Sequence, residues 1–136
     1  MADPKVPAAR PLSPHLQVYR WPLTMTMSIL HRVTGGALYV GTLLLVWWLV
    51  AAATGSQALA HVQWVLGTPI GLLVLFGYTW ALMHHMLGGI RHFIWDLGYG
   101  YGEGERNWLA LATLIGSVAS TLLLWIVGYF ILGGIN

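Results

Sequence analysis

Two histidines on one predicted helix face are the residues of this chain best suited to hold a redox group. His85 and His92 lie seven residues apart in an apolar segment, so they share a helical stripe with roughly 10 Å between them. Imidazole is costly to bury in lipid, and its presence there usually marks a site. Gly88 and Gly89 leave a notch that would let a flat ligand approach the backbone. A porphyrin bound through His85, with its carboxylates near His92 and Arg91, fits this pattern.

A second cluster of polar residues opens the first apolar segment. Ser28 and Arg32 are four residues apart and share a helix face, with His31 beside them. A hydroxyl and a guanidinium there can hydrogen-bond a carbonyl ligand, and Arg32 can also hold a carboxylate. The alternative is that Arg32 only anchors the helix at the membrane surface while Ser28 bonds back to the preceding turn.

The histidines are predicted to lie at different depths in the membrane, which indicates different roles for them. We expect His31 and His92 close to the membrane surface and His85 about two turns deeper, so His31 suits a porphyrin carboxylate better than the iron. A second iron ligand would then come from another chain. His84 points about 100° away from His85 around the helix. The alternative for any single one of these histidines is a buried side chain that only bonds a neighbouring helix.

Composition identifies the elements that must position these residues. The 136 residues are 57% hydrophobic and only 7% charged, with eight Trp, whereas a soluble domain carries about 25% charged residues. Three apolar segments are long enough to span a bilayer, at about 25–53, 68–95 and 108–132. The chain has no Cys, which excludes disulfides, thiolate ligands and iron–sulfur ligation by this chain. The fold class predicted is an all-α membrane protein with three transmembrane helices.

Two regions follow from this pattern. Residues 1–24 contain five of the six prolines and are predicted to form an extended arm on the cytoplasmic side, because proline disrupts helix interiors. Residues 25–136 form the predicted transmembrane domain. Within its third span Ala112, Gly116 and Ser120 are spaced by four, which predicts a stripe for close helix packing.

The charged residues predict the orientation. None lies in the first connection, from Thr54 to Gly67, whereas all ten fall on the opposite face. By the positive-inside rule the N-terminus and the second connection face the cytoplasm. This asymmetry indicates that a soluble partner docks on the charged side. The cations are Lys5, Arg10, Arg20, Arg32, Arg91 and Arg106, and the acids are Asp3, Asp96, Glu103 and Glu105.

Four short motifs give the chain a resemblance to a known family. It resembles the cytochrome b large membrane subunit of succinate dehydrogenase, respiratory complex II, of the alphaproteobacterial and mitochondrial branch. The resemblance runs from the proline arm to the third span. The motifs are Arg10-Pro11-Leu12-Ser13-Pro14-His15, Tyr19-Arg20-Trp21-Pro22, Ser28-Ile29-Leu30-His31-Arg32 and Gly89-Ile90-Arg91-His92-Phe93-Ile94-Trp95-Asp96-Leu97-Gly98.

The resemblance implies roles for individual residues. His85 would be an axial ligand of haem b, with the second histidine supplied by a small membrane subunit in a shared haem-binding bundle. The haem propionates would lie near three residues, and ubiquinone would lie among four. An acid would stand at the subunit interface and influence proton delivery or docking. The propionate residues are His31, Arg32 and His92, the ubiquinone residues are Ser28, Arg32, Trp21 and Ile29, and the acid is Asp96.

The implied function is a membrane-anchoring, haem-carrying subunit of succinate:ubiquinone oxidoreductase that is not catalytic alone. It would pass electrons from an iron–sulfur subunit, itself served by a flavoprotein subunit, to ubiquinone as substrate. The membrane is predicted to be the bacterial cytoplasmic membrane rather than the mitochondrial inner membrane, with lipid and no nucleic acid as further contacts. Two alternatives are the membrane subunit of a quinol:fumarate reductase and a haem-free structural anchor.

Overall fold

The computed structural model describes residues 19–133, which form four helices and contain no strand. The helices are α1 (Leu23–Thr54), α2 (Ser56–Leu66), α3 (Pro69–Asp96) and α4 (Glu103–Gly133). Three of them are long and apolar enough to cross a membrane: Leu23–Thr54, Pro69–Asp96 and Glu103–Ile131. The predicted all-α class with three membrane spans is therefore confirmed.

Three parts of the sequence interpretation stay predictions. Most of the predicted arm, residues 1–18, lies outside the described residues, and with it the motif Arg10 to His15. The cytoplasmic orientation of the N-terminus is likewise a prediction, as is packing with a second membrane subunit.

The helix ends follow local sequence signals. The backbone carbonyl of Pro22 accepts hydrogen bonds from Met25 and Thr26, and α1 starts immediately after this proline. The Thr68 side chain accepts from the backbone N–H of Gly71 at 3.1 Å and caps α3, and a proline occupies the first helical position, both of which favour a helix start.

The connection between the first two spans is itself helical, which the sequence interpretation did not predict. It forms α2, which has 11 residues and is therefore about 16 Å long, too short to cross a bilayer. Gly55 separates α1 from α2 with a φ of 138°, in the region that L side chains rarely adopt. The fourth helix also begins earlier than the predicted third span, because its first polar turn, which carries Glu103 and Glu105, is helical as well.

The interior of the bundle is small, and six of its buried residues are polar or charged. The fully buried apolar side chains are few and mostly small, whereas large apolar residues cover the outside, as expected when lipid is the surrounding solvent. The helix α3 lies against both α1 and α4. In the middle of α1, Gly41 leaves room for the ring of Tyr78 from α3. The buried polar and charged residues are Thr34, His84, Arg91, Thr113, Ser117 and Thr121.

The small-residue stripe predicted on the third span is only partly correct. Gly116 does pack against Leu87 of α3, but Ala112 is exposed. The buried stripe is formed instead by Thr113, Ser117 and Thr121. Their hydroxyls donate to backbone carbonyls of the same helix at 2.7–2.8 Å. These polar residues can therefore face the interior because their hydrogen bonds are made locally.

Candidate functional site

Two histidines on facing helices stack against each other at the centre of the candidate site. The rings of His31 on α1 and His85 on α3 lie 4.0 Å apart between centroids and are nearly parallel, at 3°. The ring of His92 is 5.3 Å from that of His31. The predicted depth of His31 was therefore wrong, because His31 lies level with His85. The sequence places each histidine only along its own helix. The crossing of α1 and α3 decides which residues of the two helices lie at the same level.

Glycine on each helix makes this close approach possible. A Cβ at Gly35 of α1 would lie 3.0 Å from Cε1 of His85, and a Cβ at Gly88 of α3 would collide with Nδ1 of His31. Each helix therefore offers a glycine to the histidine of the other. The prediction that Gly88 leaves a notch for a flat ligand was wrong, because the His31 ring occupies that space. At Gly89 the space is open, since a Cβ there would meet nothing within 4 Å.

The hydrogen bond made by His85 orients its ring for metal binding. Nδ1 of His85 lies 3.1 Å from the backbone carbonyl oxygen of His31, and since a carbonyl only accepts, Nδ1 carries the proton and donates. The neutral ring then presents an unprotonated Nε2, the form in which histidine binds a metal. The ring is half-buried, and Nε2 makes no hydrogen bond within residues 19–133. His85 therefore fits the role of an axial haem ligand.

The adjacent histidine faces a different helix. His84 is fully buried, and its Nδ1 lies 3.3 Å from the hydroxyl oxygen of Ser117 on α4. Its Nε2 is buried without a hydrogen-bond partner in the described region. The ring also lies 5.3 Å from that of Trp80. His84 is therefore positioned between α3 and α4, away from the stack that His85 forms with His31.

The predicted quinone residues share one end of α1. Ser28 and Arg32 are both exposed and Ile29 is half-buried. The Ser28 hydroxyl makes no hydrogen bond within the described residues, so the alternative in which it bonds back to the preceding turn is not what the structure contains. Trp21 is 54% exposed and lies in the segment just before α1. The hydroxyl of Tyr19 donates to the sulfur of Met25 at 3.0 Å, which holds this segment against the helix.

The remaining predicted residues lie at the end of α3. His92 is exposed, and its ring stands at 90° to that of Trp95 at 5.1 Å. Asp96 is the last residue of the helix and is also exposed. The structure thus brings His31, His85 and His92 together and leaves Asp96 at the rim.

Sequence reasoning missed the position of Arg91 and the role of Gly35. Arg91 is buried at 3% exposure, with Cζ 5.1 Å from the centre of the Trp95 ring. A signal was present in the sequence, because Arg91 is seven residues from His84 and so shares its face of α3. Gly35 lies four residues after His31 on the same helix, but only the crossing of the helices shows that it faces His85.

Alanine substitution at each of two neighbouring glycines on α3 tests the stacking of His31 on His85. We expect Gly88→Ala to reduce bound haem at least fivefold, because the added methyl group collides with the His31 ring and separates the stacked histidines. Gly89→Ala is the matched control, since its Cβ meets no atom within 4 Å. The measurement is the haem absorption per assembled complex. Equal haem content in both variants would contradict the packing role of Gly88.

The fold and the site together define a helical membrane protein with three spans and one histidine, His85, whose ring is oriented to bind a metal. The chain matches the family model described as succinate dehydrogenase/fumarate reductase transmembrane subunit over residues 7–132. It therefore belongs to that family.

Several individual proteins of this family are similar to the chain over most of its length. The succinate dehydrogenase cytochrome b556 subunit of Paracoccus denitrificans is 47% identical over 118 residues, covering 87% of this chain and 91% of the relative. The protein of the same name from Rickettsia prowazekii is 38% identical over 118 residues, with 86% and 91% covered. The mitochondrial succinate dehydrogenase cytochrome b560 subunit of Sus scrofa is 40% identical over 117 residues, with 83% and 68% covered.

Proposed function

We propose that this chain is the haem b-carrying membrane anchor of a succinate:ubiquinone oxidoreductase. The observation that carries the proposal is the oriented His85, whose Nδ1 is engaged by the carbonyl of His31 at 3.1 Å and whose Nε2 is free to bind iron. The cytochrome names of the relatives support the same cofactor. A quinol:fumarate reductase is not favoured, because the named relatives are succinate dehydrogenase subunits.

This chain would supply one of the two protein ligands of the haem iron. His85 would supply that ligand, and a histidine of a small membrane subunit would supply the other. His31 and His92 lie beside His85. Nδ1 of His31 is buried against Gly88, so His31 would donate to a haem propionate through Nε2. The exposed ring of His92 and the exposed guanidinium of Arg32 can donate to the propionates as well. When bound, haem b supplies a one-electron carrier next to the quinone site.

Ubiquinone would bind at the charged end of α1. Its reduction consumes two electrons, delivered from succinate through the flavoprotein and iron–sulfur subunits, and two protons. Arg32 and the free hydroxyl of Ser28 can donate hydrogen bonds to a quinone carbonyl and stabilise the negative charge that develops on its oxygen. Trp21 and Ile29 would provide apolar walls for the ring, and the exposed Asp96 would face the docked iron–sulfur subunit and influence proton delivery.

The remaining features of the proposal concern assembly. The side of the membrane that carries Arg32 and Asp96 would face the cytoplasm and receive the soluble subunits, with residues 1–24 as an arm on that side. The membrane would be the bacterial cytoplasmic membrane. The three long apolar helices support membrane insertion, and the shared ligation of haem requires a second membrane subunit beside α1 and α3.

One spectrum tests the proposed function. The complex is purified in mild detergent through a tag on this chain, and its absorption is recorded before and after adding succinate. We expect haem b bands that sharpen when succinate is added, because succinate supplies electrons only through an attached dehydrogenase. Bands that respond to dithionite but not to succinate would contradict the partner assignment. Absence of the bands from an intact complex would contradict the cofactor and favour a haem-free anchor.

A further inference from the structure

A buried threonine on α1 shares a hydrogen-bond acceptor with the proposed haem ligand. The Thr34 side chain is 2% exposed, and its hydroxyl oxygen lies 2.8 Å from the carbonyl oxygen of Leu30 and 3.0 Å from that of His31. The His31 carbonyl also accepts from Nδ1 of His85 at 3.1 Å. One backbone carbonyl is therefore within hydrogen-bond distance of two side-chain donors from different helices.

The two donors compete because this carbonyl can accept few hydrogen bonds. A backbone carbonyl has two lone pairs, and within α1 the His31 carbonyl uses one for the N–H of Gly35, four residues further along the helix. One lone pair remains for the Thr34 hydroxyl and the His85 ring. The hydroxyl carries a single proton, and when this proton points to His31 rather than Leu30 it weakens the hydrogen bond that His85 makes.

Close packing prevents His85 from avoiding this competition. Its ring stacks on that of His31 at 4.0 Å between centroids, and a Cβ at Gly35 would lie only 3.0 Å from its Cε1. The ring therefore has little room to turn toward another acceptor. A change at Thr34 should alter the strength of the hydrogen bond from Nδ1 and leave the position of the ring unchanged.

The strength of that hydrogen bond affects the electron density on the other ring nitrogen. A histidine that donates strongly from Nδ1 is a more basic ligand through Nε2. A more basic ligand stabilises the more positive, ferric state of a haem iron, and hydrogen bonding to the ligand is one means by which proteins set a haem reduction potential. A donor that competes for the His31 carbonyl therefore favours the reduced haem.

We propose that Thr34 raises the reduction potential of haem b by competing with His85 for the His31 carbonyl. The inference rests on the proposed function, in which His85 binds the haem iron. Thr34 acts only through His85 and is therefore a positioning residue. Because Thr34 is buried, both hydrogen bonds lie in a low-dielectric environment, where they are stronger than in water.

A redox titration of the assembled complex tests the proposal. The haem b absorption is recorded as a function of the applied potential for the unaltered complex, Thr34→Val and Thr34→Ala. Both variants remove the hydroxyl, so we expect the equilibrium constant for haem reduction to fall about threefold, which is about 28 mV at 59 mV per tenfold for one electron. Thr34→Ser keeps a hydroxyl and should keep the potential of the unaltered complex.

A second buried threonine provides the matched control. Thr121 is 1% exposed, and its hydroxyl donates to the carbonyl of Ser117 on α4 at 2.7 Å. Thr121→Val therefore removes a similar hydroxyl without affecting the hydrogen bond of His85, and it should leave the potential unchanged.

The possible failures of this proposal and of the proposed function give different results. An unchanged or raised potential in Thr34→Val and Thr34→Ala, or an equal fall in Thr121→Val, would overturn this proposal alone. Loss of haem from both hydroxyl-free variants of Thr34 would also overturn it, because Thr34 would then be required for structure. Absence of haem from the unaltered complex would overturn both this proposal and the proposed function.

Discussion

Replacement of His85 by alanine should remove the haem b absorption of the assembled complex, to below about a tenth of the original content. His85 is the histidine whose ring is oriented by the His31 carbonyl at 3.1 Å and whose Nε2 is free. Alanine offers no lone pair to iron, so haem would keep only its propionate contacts with this chain. The measurement is the dithionite-reduced minus oxidised spectrum, normalised to the amount of complex.

The neighbouring histidine provides the matched control. His84→Ala should retain the haem spectrum, because His84 faces Ser117 on α4 rather than the stack with His31. It should lower thermal stability, since it leaves a cavity where a side chain was fully buried. Loss of haem from an assembled His84→Ala complex, or its retention in both variants, would contradict the assignment of His85.

Replacement of Arg32 by leucine should lower succinate-dependent ubiquinone reduction about a hundredfold. Loss of one preorganised donor to developing negative charge typically costs a factor of 10² to 10³. Ser28→Ala should cost about tenfold, because it removes one neutral hydrogen bond. Both residues are exposed on α1, so neither change should disturb the packing of the helices.

A soluble electron acceptor distinguishes a defect in quinone binding from a defect in assembly of the complex. Reduction of a dye at the soluble subunits by succinate should be unchanged in both variants, and Arg106→Leu, at another exposed arginine, should leave both activities unchanged. A parallel loss of dye and quinone reduction would show an assembly defect and would contradict the assignment. Unchanged quinone reduction in Arg32→Leu would place the quinone elsewhere.

The sequence by itself determined the class of protein and the residues worth testing. The three spans follow from the length of their apolar segments, because transfer into lipid depends on the composition of each segment and little on its neighbours. Ser28 and Arg32 could be placed on one helix face from spacing alone. The same local regularity placed His85 and His92 on a common stripe.

Only the tertiary structure decided which way each helix faces its neighbours. A span that is apolar on every side carries little periodic signal to distinguish interior from lipid, so the sequence alone could not orient His84 towards Ser117 or bury Arg91. For the same reason the sequence predicted that α4 packs through Ala112, whereas the structure buries Thr113. His31 is level with His85 because glycine on each helix allows the two helices to approach closely, and that fit depends on two segments 54 residues apart.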